Sequence, residues 1–341
     1  MLDCHGTFIR NPCGFAEIIS FFRYSFFAVS VVNENPDIKS REKGDDRAIG
    51  IACRLDSPEA LKIVQFITDF LLKRNERIAY ETRISSKFIR HFARSLGDMT
   101  TDNTKFVISV GGDGTVLRVC QNLPKKKIPP ILGVNLGSVG FLDESMGNPE
   151  SLKLDLEKVL SGKFCIEHAA RLVTRIGNHI LPVALNEVLI ISSKPSKVLY
   201  TNIMVDDQNF TSSYLDGLII STHTGSTAYA LSAGGCLLDP RLNGFEIVPL
   251  NPFAGTGVFR PLIVPTSAKI QIKLQRPRLN GLVIIDGQSE YKVSPQVKIT
   301  ISRAPTDIKF IRFHSQLGGY FDKVREKILF SRKLADDSLE D

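Results

Sequence analysis

The chain is short of everything that would staple or anchor it. Its six cysteines, Cys4, Cys13, Cys53, Cys120, Cys165 and Cys236, stand singly. No Cys-x-x-Cys pair and no histidine at zinc spacing accompanies them, which excludes a disulfide framework or zinc ribbon and reads as reduced thiols in a cytoplasmic protein. Cys53 and Cys120 sit beside apolar residues, as packing thiols do. No clean membrane span is present either: the apolar stretch from Phe15 to Val32 is broken by Glu17 and Arg23, whereas crossing takes about 20 predominantly apolar residues. The start lacks the basic opening and small-residue cleavage site of a secretory leader. Basic charge is dispersed, Lys125-Lys126-Lys127 being the longest run, and without a basic and aromatic stripe nucleic acid is not an expected partner. No internal repeat is visible.

What is there fits one large or two ordinary globular domains: 341 residues, 43% apolar and 23% charged. The net charge of +7 suits a polyanionic ligand, and a phosphorylated small molecule satisfies that as well as nucleic acid does. Residues 1–47 read as a poorly defined extension, either dispensable or used for targeting or anchoring, with a linker-like stretch from Asn33 to Arg47. Over 48–162 the pattern is α/β. A buried strand at Ala48–Cys53 is followed by Ser57 as N-cap, Pro58 at the first helical position, and Leu61, Val64, Ile67 and Leu71 at helical spacing. Further helices are expected at Lys87–Leu96, Thr115–Asn122 and Asn148–Leu160, and strands at Lys105–Val110 and Ile131–Asn135. From 163 to 310 short β-branched segments recur between turns, at Val183–Ile191, Val198–Val205, Gly217–Ser221, Leu262–Val264, Lys269–Leu274, Leu282–Ile285 and Val297–Ile301. A helix over Gly319–Leu329 and a polar tail end the chain, with 311–341 expected to pack back on the first domain. The fold class is thus α/β plus β: a Rossmann-like α/β domain with a glycine-rich phosphate loop, then a β-rich, sandwich-like domain.

The strongest chemical signal is Gly111-Gly112-Asp113-Gly114-Thr115, between an expected buried strand and a helix. Glycines let the backbone turn sharply and approach a phosphate, and the helix start offers free N–H groups to an anion. Asp113 is out of place there. A carboxylate repels phosphate unless a cation bridges them or it receives a proton during reaction, and both imply catalysis. An ordinary Asp-Gly turn is the alternative.

In this setting the pentapeptide resembles the loop shared by NAD kinases, diacylglycerol and sphingosine kinases and, in a variant, phosphofructokinases. The segment from Asp216-Gly217-Leu218-Ile219-Ile220-Ser221-Thr222 through His223-Thr224-Gly225-Ser226-Thr227-Ala228-Tyr229 to Gly235 resembles the long signature of NAD kinases. With Asn135–Leu142, Asn186-Glu187 and Asp286-Gly287-Gln288, the matches run in family order from about Ala48 to Leu329. The resemblance implies transfer of the γ-phosphate of ATP to the 2′-hydroxyl on the adenosine ribose of NAD. It also implies Mg²⁺ bridging the phosphates, no assigned protein metal ligand, and a homodimer or homotetramer acting on small nucleotides.

The resemblance further assigns Asp113 as catalytic carboxylate and, with Gly114, as part of the nucleotide site. It implies adenosine and ribose contacts for Asn186 and Glu187, which could otherwise be a solvated turn, and a dinucleotide contact for Asp216, otherwise an Asp-Gly turn. Thr227, Ala228, Tyr229, Ala230, Leu231 and Ser232 become the NAD-contacting segment, a small-residue turn running into a helix, in which Tyr229 could instead be core. Arg118 and Gln288 match dinucleotide contacts, although Arg118 also reads as an exposed helix charge. The chain departs from the family at His223, where proline is common, at Phe253, where histidine is common, in a glycine-rich insertion after it, and at Tyr214, a place that is often basic. A lipid kinase sharing the first loop would need an apolar pocket, which the small, polar Asp216–Gly235 segment does not suggest.

Overall fold

A computed structural model describes residues 45–85, 92–137, 140–253, 259–313 and 319–329. The expectations for 1–44, for the glycine-rich insertion and for the tail after Arg332 lie outside the described residues. The first layer is a sheet whose central strands run parallel in the order Phe92–Arg94, Ile78–Glu81, Ala48–Cys53, Thr104–Gly111, Ile131–Asn135. Every residue of Ala48–Cys53 is buried, as a continuous apolar run must be when helices cover both faces of a parallel sheet.

The flanking helices start where local chemistry dictates. Ser57 Oγ accepts the Ala60 N–H at 3.2 Å ahead of helix Pro58–Leu72, and Asn148 Oδ1 accepts the Glu150 N–H at 2.9 Å ahead of helix Pro149–Leu160. Both place a proline in the first turn, where its missing N–H costs nothing. Val64, Ile67 and Leu71 from the first and Leu152 and Leu156 from the second pack in one cluster with Ile51, Ile108 and Val134. Each such fully buried side chain contributes about 1.5–3 kcal/mol. Helix Asp113–Asn122 packs Val116, Val119 and Cys120 in a second cluster with Val107 and Ile131.

Two sequence expectations change here. The helix over Lys87–Leu96 is not found where that range is described: Phe92–Arg94 pairs parallel to Ile78–Glu81, and Leu96–Asp98 is a single 3₁₀ turn. An open sheet edge supplies backbone partners that a three-residue segment cannot find in itself, and the Arg94 Nη1 donates to Asn103 Oδ1 at 2.7 Å beyond the strand's end. In addition, Cys165–Ala169, within 163–310, and Ile308–Arg312, which straddles the expected boundary at 310, join the first sheet: Ile308–Arg312 pairs parallel with Ile131–Asn135 and antiparallel with Cys165–Ala169.

The remaining strands form two six-stranded antiparallel sheets. One runs Leu262–Pro265, Gly244–Leu250, Gly217–Ser221, Glu187–Ser192, Gly281–Ile285, Ser289–Val293. The other runs Gln208–Leu215, Leu199–Val205, Ile270–Leu274, Ile299–Arg303, Leu172–Ile176, His179–Ile180. Val188, Ile220 and Phe245 from the first face Ile203, Ile272 and Ile301 from the second in one core cluster. This is a β-sandwich. Leu199–Val205 and Gln208–Leu215 form a hairpin whose two turn residues, Asp206 and Asp207, both take positive φ, 50° and 63°, as a tight primed turn requires.

Candidate functional site

The glycine loop turns from strand Thr104–Gly111 into helix Asp113–Asn122, with Gly112 extended as its N-cap. Gly111 has to be glycine because a Cβ there would run into the Thr115 side chain. Asp113 opens the helix, and its carboxylate is held from across the loop: Oδ2 accepts the Phe141 N–H at 3.0 Å and Oδ1 the Leu142 N–H at 3.1 Å. Gly140 makes the approach possible, since a Cβ on it would collide with the carboxylates of both Asp113 and Asp143.

Asp113 looks onto a cleft of about 480 Å³ that it shares with Asn186, Thr224, Thr227, Ala228 and Leu231. The turn that presents Asn186 is built by Asp286. That buried carboxylate accepts the N–H groups of Leu185 (2.9 Å), Asn186 (2.8 Å) and Glu187 (3.1 Å) and the Gln121 Nε2 (3.2 Å). Because those three N–H groups go to a side chain, the strand expected from Val183 starts only at Glu187. Asn186 Oδ1 is buried without a hydrogen-bond partner, an arrangement that costs free energy unless a ligand supplies the donor. Glu187 is buried behind it. Loss of solvent, with the nearby Asp286 charge adding to it, pushes its carboxyl up to about 8, and its Oε2 is also unpartnered. Glu187 is therefore largely a neutral acid at pH 7.

The short helix Tyr229–Ser232 stands between two spaces. Ala228 and Leu231 line the Asp113 cleft, whereas Tyr229, Ser232 and Asp216 line an adjoining cavity of about 570 Å³. Tyr229 is 44% exposed, which sets aside the core alternative. Ala230 departs from its expected role: it is fully buried against Ile219 and Val248, so its side chain is core and reaches neither space. A four-residue helix that must turn one side to the sheet can offer ligands only the others. Asp216 is exposed and accepts the Asn251 Nδ2 at 2.9 Å.

Arg118 and Gln288 line a third cavity, of about 430 Å³, with Gly112, Gly114 and Thr115. It lies at the carboxyl ends of Ala48–Cys53 and Thr104–Gly111, where the strand order reverses and open α/β sheets ordinarily bind ligands. Arg118 is no exposed helix charge: its Nη1 and Nη2 reach Glu81 at 2.5 and 2.9 Å, and Glu81 is itself buried.

Two family models match the chain: the ATP-NAD kinase N-terminal domain over residues 49–164 and the ATP-NAD kinase C-terminal domain over 185–313. The NAD kinase of Methanothermobacter thermautotrophicus is 36% identical over 283 residues, covering 82% of this chain and 96% of the relative. That of Thermococcus sibiricus is 38% identical over 286 residues, covering 82% and 99%. The chain belongs to the NAD kinase family. Its reaction is that of NAD kinases, ATP-dependent phosphorylation of the 2′-hydroxyl on the adenosine ribose of NAD. Among solved structures, an NAD kinase from Archaeoglobus fulgidus in complex with ATP superimposes with a TM-score of 0.63 at 29% identity, covering 82% of this chain and 98% of its own. Yeast NADH kinase complexed with NADH gives 0.74 at 22% identity, covering 85% and 89%, and shares the fold.

Against the NAD kinase pattern, the departures acquire places. Tyr214 stacks on Tyr200 with ring centroids 4.4 Å apart and has the Arg276 guanidinium 5.3 Å from its own centroid. His223 is buried, and loss of solvent holds its imidazole below the usual range. It lines a further cavity of about 360 Å³ with Glu167, Arg312, Tyr320 and Lys323. Sequence reasoning gave no role to Asp286, Arg312 or Lys323. Asp286-Gly287 entered only as part of the family match with Gln288, and both residues take positive φ, 49° and 64°. Nothing local marks Arg312.

Proposed function

We propose that Asp113 is the general base of phosphoryl transfer and that Asn186 and Glu187 hold the adenosine half of NAD beside it. The observation that carries this reading is that Asp113 and Asn186 line one cleft and that Asn186 Oδ1 has no hydrogen-bond partner within the protein. An adenosine ribose or base presents the N–H and O–H donors that Asn186 Oδ1 lacks, and a neutral Glu187 can both donate to and accept from a hydroxyl. The remaining dinucleotide runs past Thr227, Ala228 and Leu231 to Tyr229, Ser232 and Asp216. The donor phosphates lie against Gly112 and Gly114 at the helix start, where N–H groups and the helix dipole favour an anion.

In the transfer, the bond between the γ-phosphorus and its bridging oxygen breaks, the 2′-oxygen forms the new P–O bond, and Asp113 receives the hydroxyl proton as ADP departs. Such transfers pass through a loose transition state and are catalysed mainly by positioning and charge neutralisation. The two backbone N–H groups on Asp113 fix its oxygens and leave lone pairs for that proton. A cation carried in on ATP fits the residues present, because Asp113 is a hard oxygen donor of the kind Mg²⁺ takes singly beside substrate phosphates. When bound, Mg²⁺ supplies neutralisation of phosphate charge.

The free Cys53, Cys120, Cys165 and Cys236 support a reducing, cytoplasmic setting. Among the described residues no helix is long and apolar enough to cross a membrane. The homodimer or homotetramer rests on the family resemblance. The deciding assay incubates the protein with ATP, Mg²⁺ and NAD and detects NADP with an NADP-specific dehydrogenase, comparing wild type with Asp113→Asn. Loss of turnover is expected, and near-wild-type turnover would return Asp113 to a turn residue.

A further inference from the structure

 Arg312 lies 77 positions beyond Gly235, the last residue of the segment that begins at Asp216, yet its side chain ends at the backbone that holds Asp113. Nη1 of Arg312 donates to the Leu142 carbonyl at 2.9 Å and lies 3.4 Å from the Asp143 carbonyl. Nε donates to Glu167 at 2.6 Å, and Nη1 also meets Glu144 at 3.3 Å. Lys323, from the helix Tyr320–Val324, donates to the Asp143 carbonyl at 2.7 Å. Glu144 is anchored in turn by the Phe313 N–H at 2.8 Å.

Leu142 is therefore gripped from both sides: its N–H goes to Asp113 and its carbonyl to Arg312. Burying a guanidinium is expensive and seldom adds net stability over a well-packed apolar side chain. Two cations directed at two successive carbonyls of the loop that carries the donors to Asp113 instead fix the direction of those donors. We propose that Arg312, seconded by Lys323, is a positioning residue for phosphoryl transfer, acting on Asp113 through the backbone of residues 141–143. The inference rests on the reading of Asp113 as the catalytic carboxylate.

Arg312→Lys tests it, because the charge stays while the fork that joins Glu167 to the Leu142 carbonyl is lost. A small misplacement of a catalytic group can cost up to roughly 10²-fold, so kcat is expected to fall by about 10- to 10²-fold with KM for NAD near the wild-type value. The decisive measurement is the same substitution in an Asp113→Asn background, where it should cost no further turnover, because the group it positions is already gone. Multiplying losses, or an unchanged kcat in Arg312→Lys alone, would overturn the proposal. If Arg312→Lys does not fold, Lys323→Met carries the same cycle with the same two outcomes. Should Asp113→Asn alone keep its turnover, the reading of Asp113 has failed; should it lose turnover while the losses multiply, only the positioning role has.

Discussion

Replacing Asp113 by asparagine preserves shape while removing the charge and the proton-accepting oxygen. From the sequence alone such a change is expected to leave folding almost untouched. The structure alters that expectation, because each carboxylate oxygen accepts a backbone N–H, from Phe141 and from Leu142. An asparagine has one oxygen to offer, so its amide nitrogen must face one of the two N–H groups, donor against donor. Leaving one such group unsatisfied costs about 1–3 kcal/mol, which lowers Tm by a few degrees in a protein of this size. The effect on turnover is far larger. General-base catalysis contributes about 10²- to 10⁴-fold, so kcat measured by coupled NADP detection at saturating ATP and NAD should fall by at least roughly 10²-fold. Calorimetry run in parallel separates the two effects. A variant that melts a few degrees lower yet keeps most of its turnover would refute the reasoning.

Other outcomes follow from the same geometry. Asn186→Ala should raise KM for NAD far more than KM for ATP, with little loss of Tm, because Asn186 Oδ1 has no partner within the protein to lose; equal changes in both KM values would remove it from the acceptor site. Glu187 has its carboxyl raised to about 8 by burial, so the folded state holds a proton that the unfolded chain releases near the ordinary value of 4.5. Its contribution is complete below that value and is lost as pH rises through about 8, by up to about 1.4 kcal/mol per pH unit. Glu187→Gln should flatten the fall of Tm across that window, and an unchanged slope would mean that the group is not buried as an acid. Deleting residues 1–43 should leave a folded, active enzyme, since the family match begins at residue 49 and, among the described residues, the first strand begins at Ala48; loss of circular dichroism signal or of NADP formation would make the extension part of the core.

The sequence by itself determined the elements whose signals are local. Ile131–Asn135 and Gly217–Ser221 were legible to the residue because both are buried along their length and read as unbroken apolar runs. The starts of helices Pro58–Leu72 and Pro149–Leu160 were legible because capping involves neighbours two or three positions apart. The glycine loop and Asp113 stood out as candidates by their own residue types, and Asn186 and Glu187 through the family resemblance. Only the tertiary structure decided what depends on distant partners. Cys165–Ala169 and Ile308–Arg312 carry charges within short strands and take their place from the sheet they complete. Ala230 belongs to the core because one side of its short helix must face Ile219 and Val248. The turn before Glu187 is set by Asp286, about 100 residues away, and the loop that holds Asp113 is set by Arg312, 170 residues from Leu142. Capping and periodicity act over one or two turns of chain and leave their mark in the sequence; a buried hydrogen bond between remote segments exists only once folding has brought donor and acceptor together.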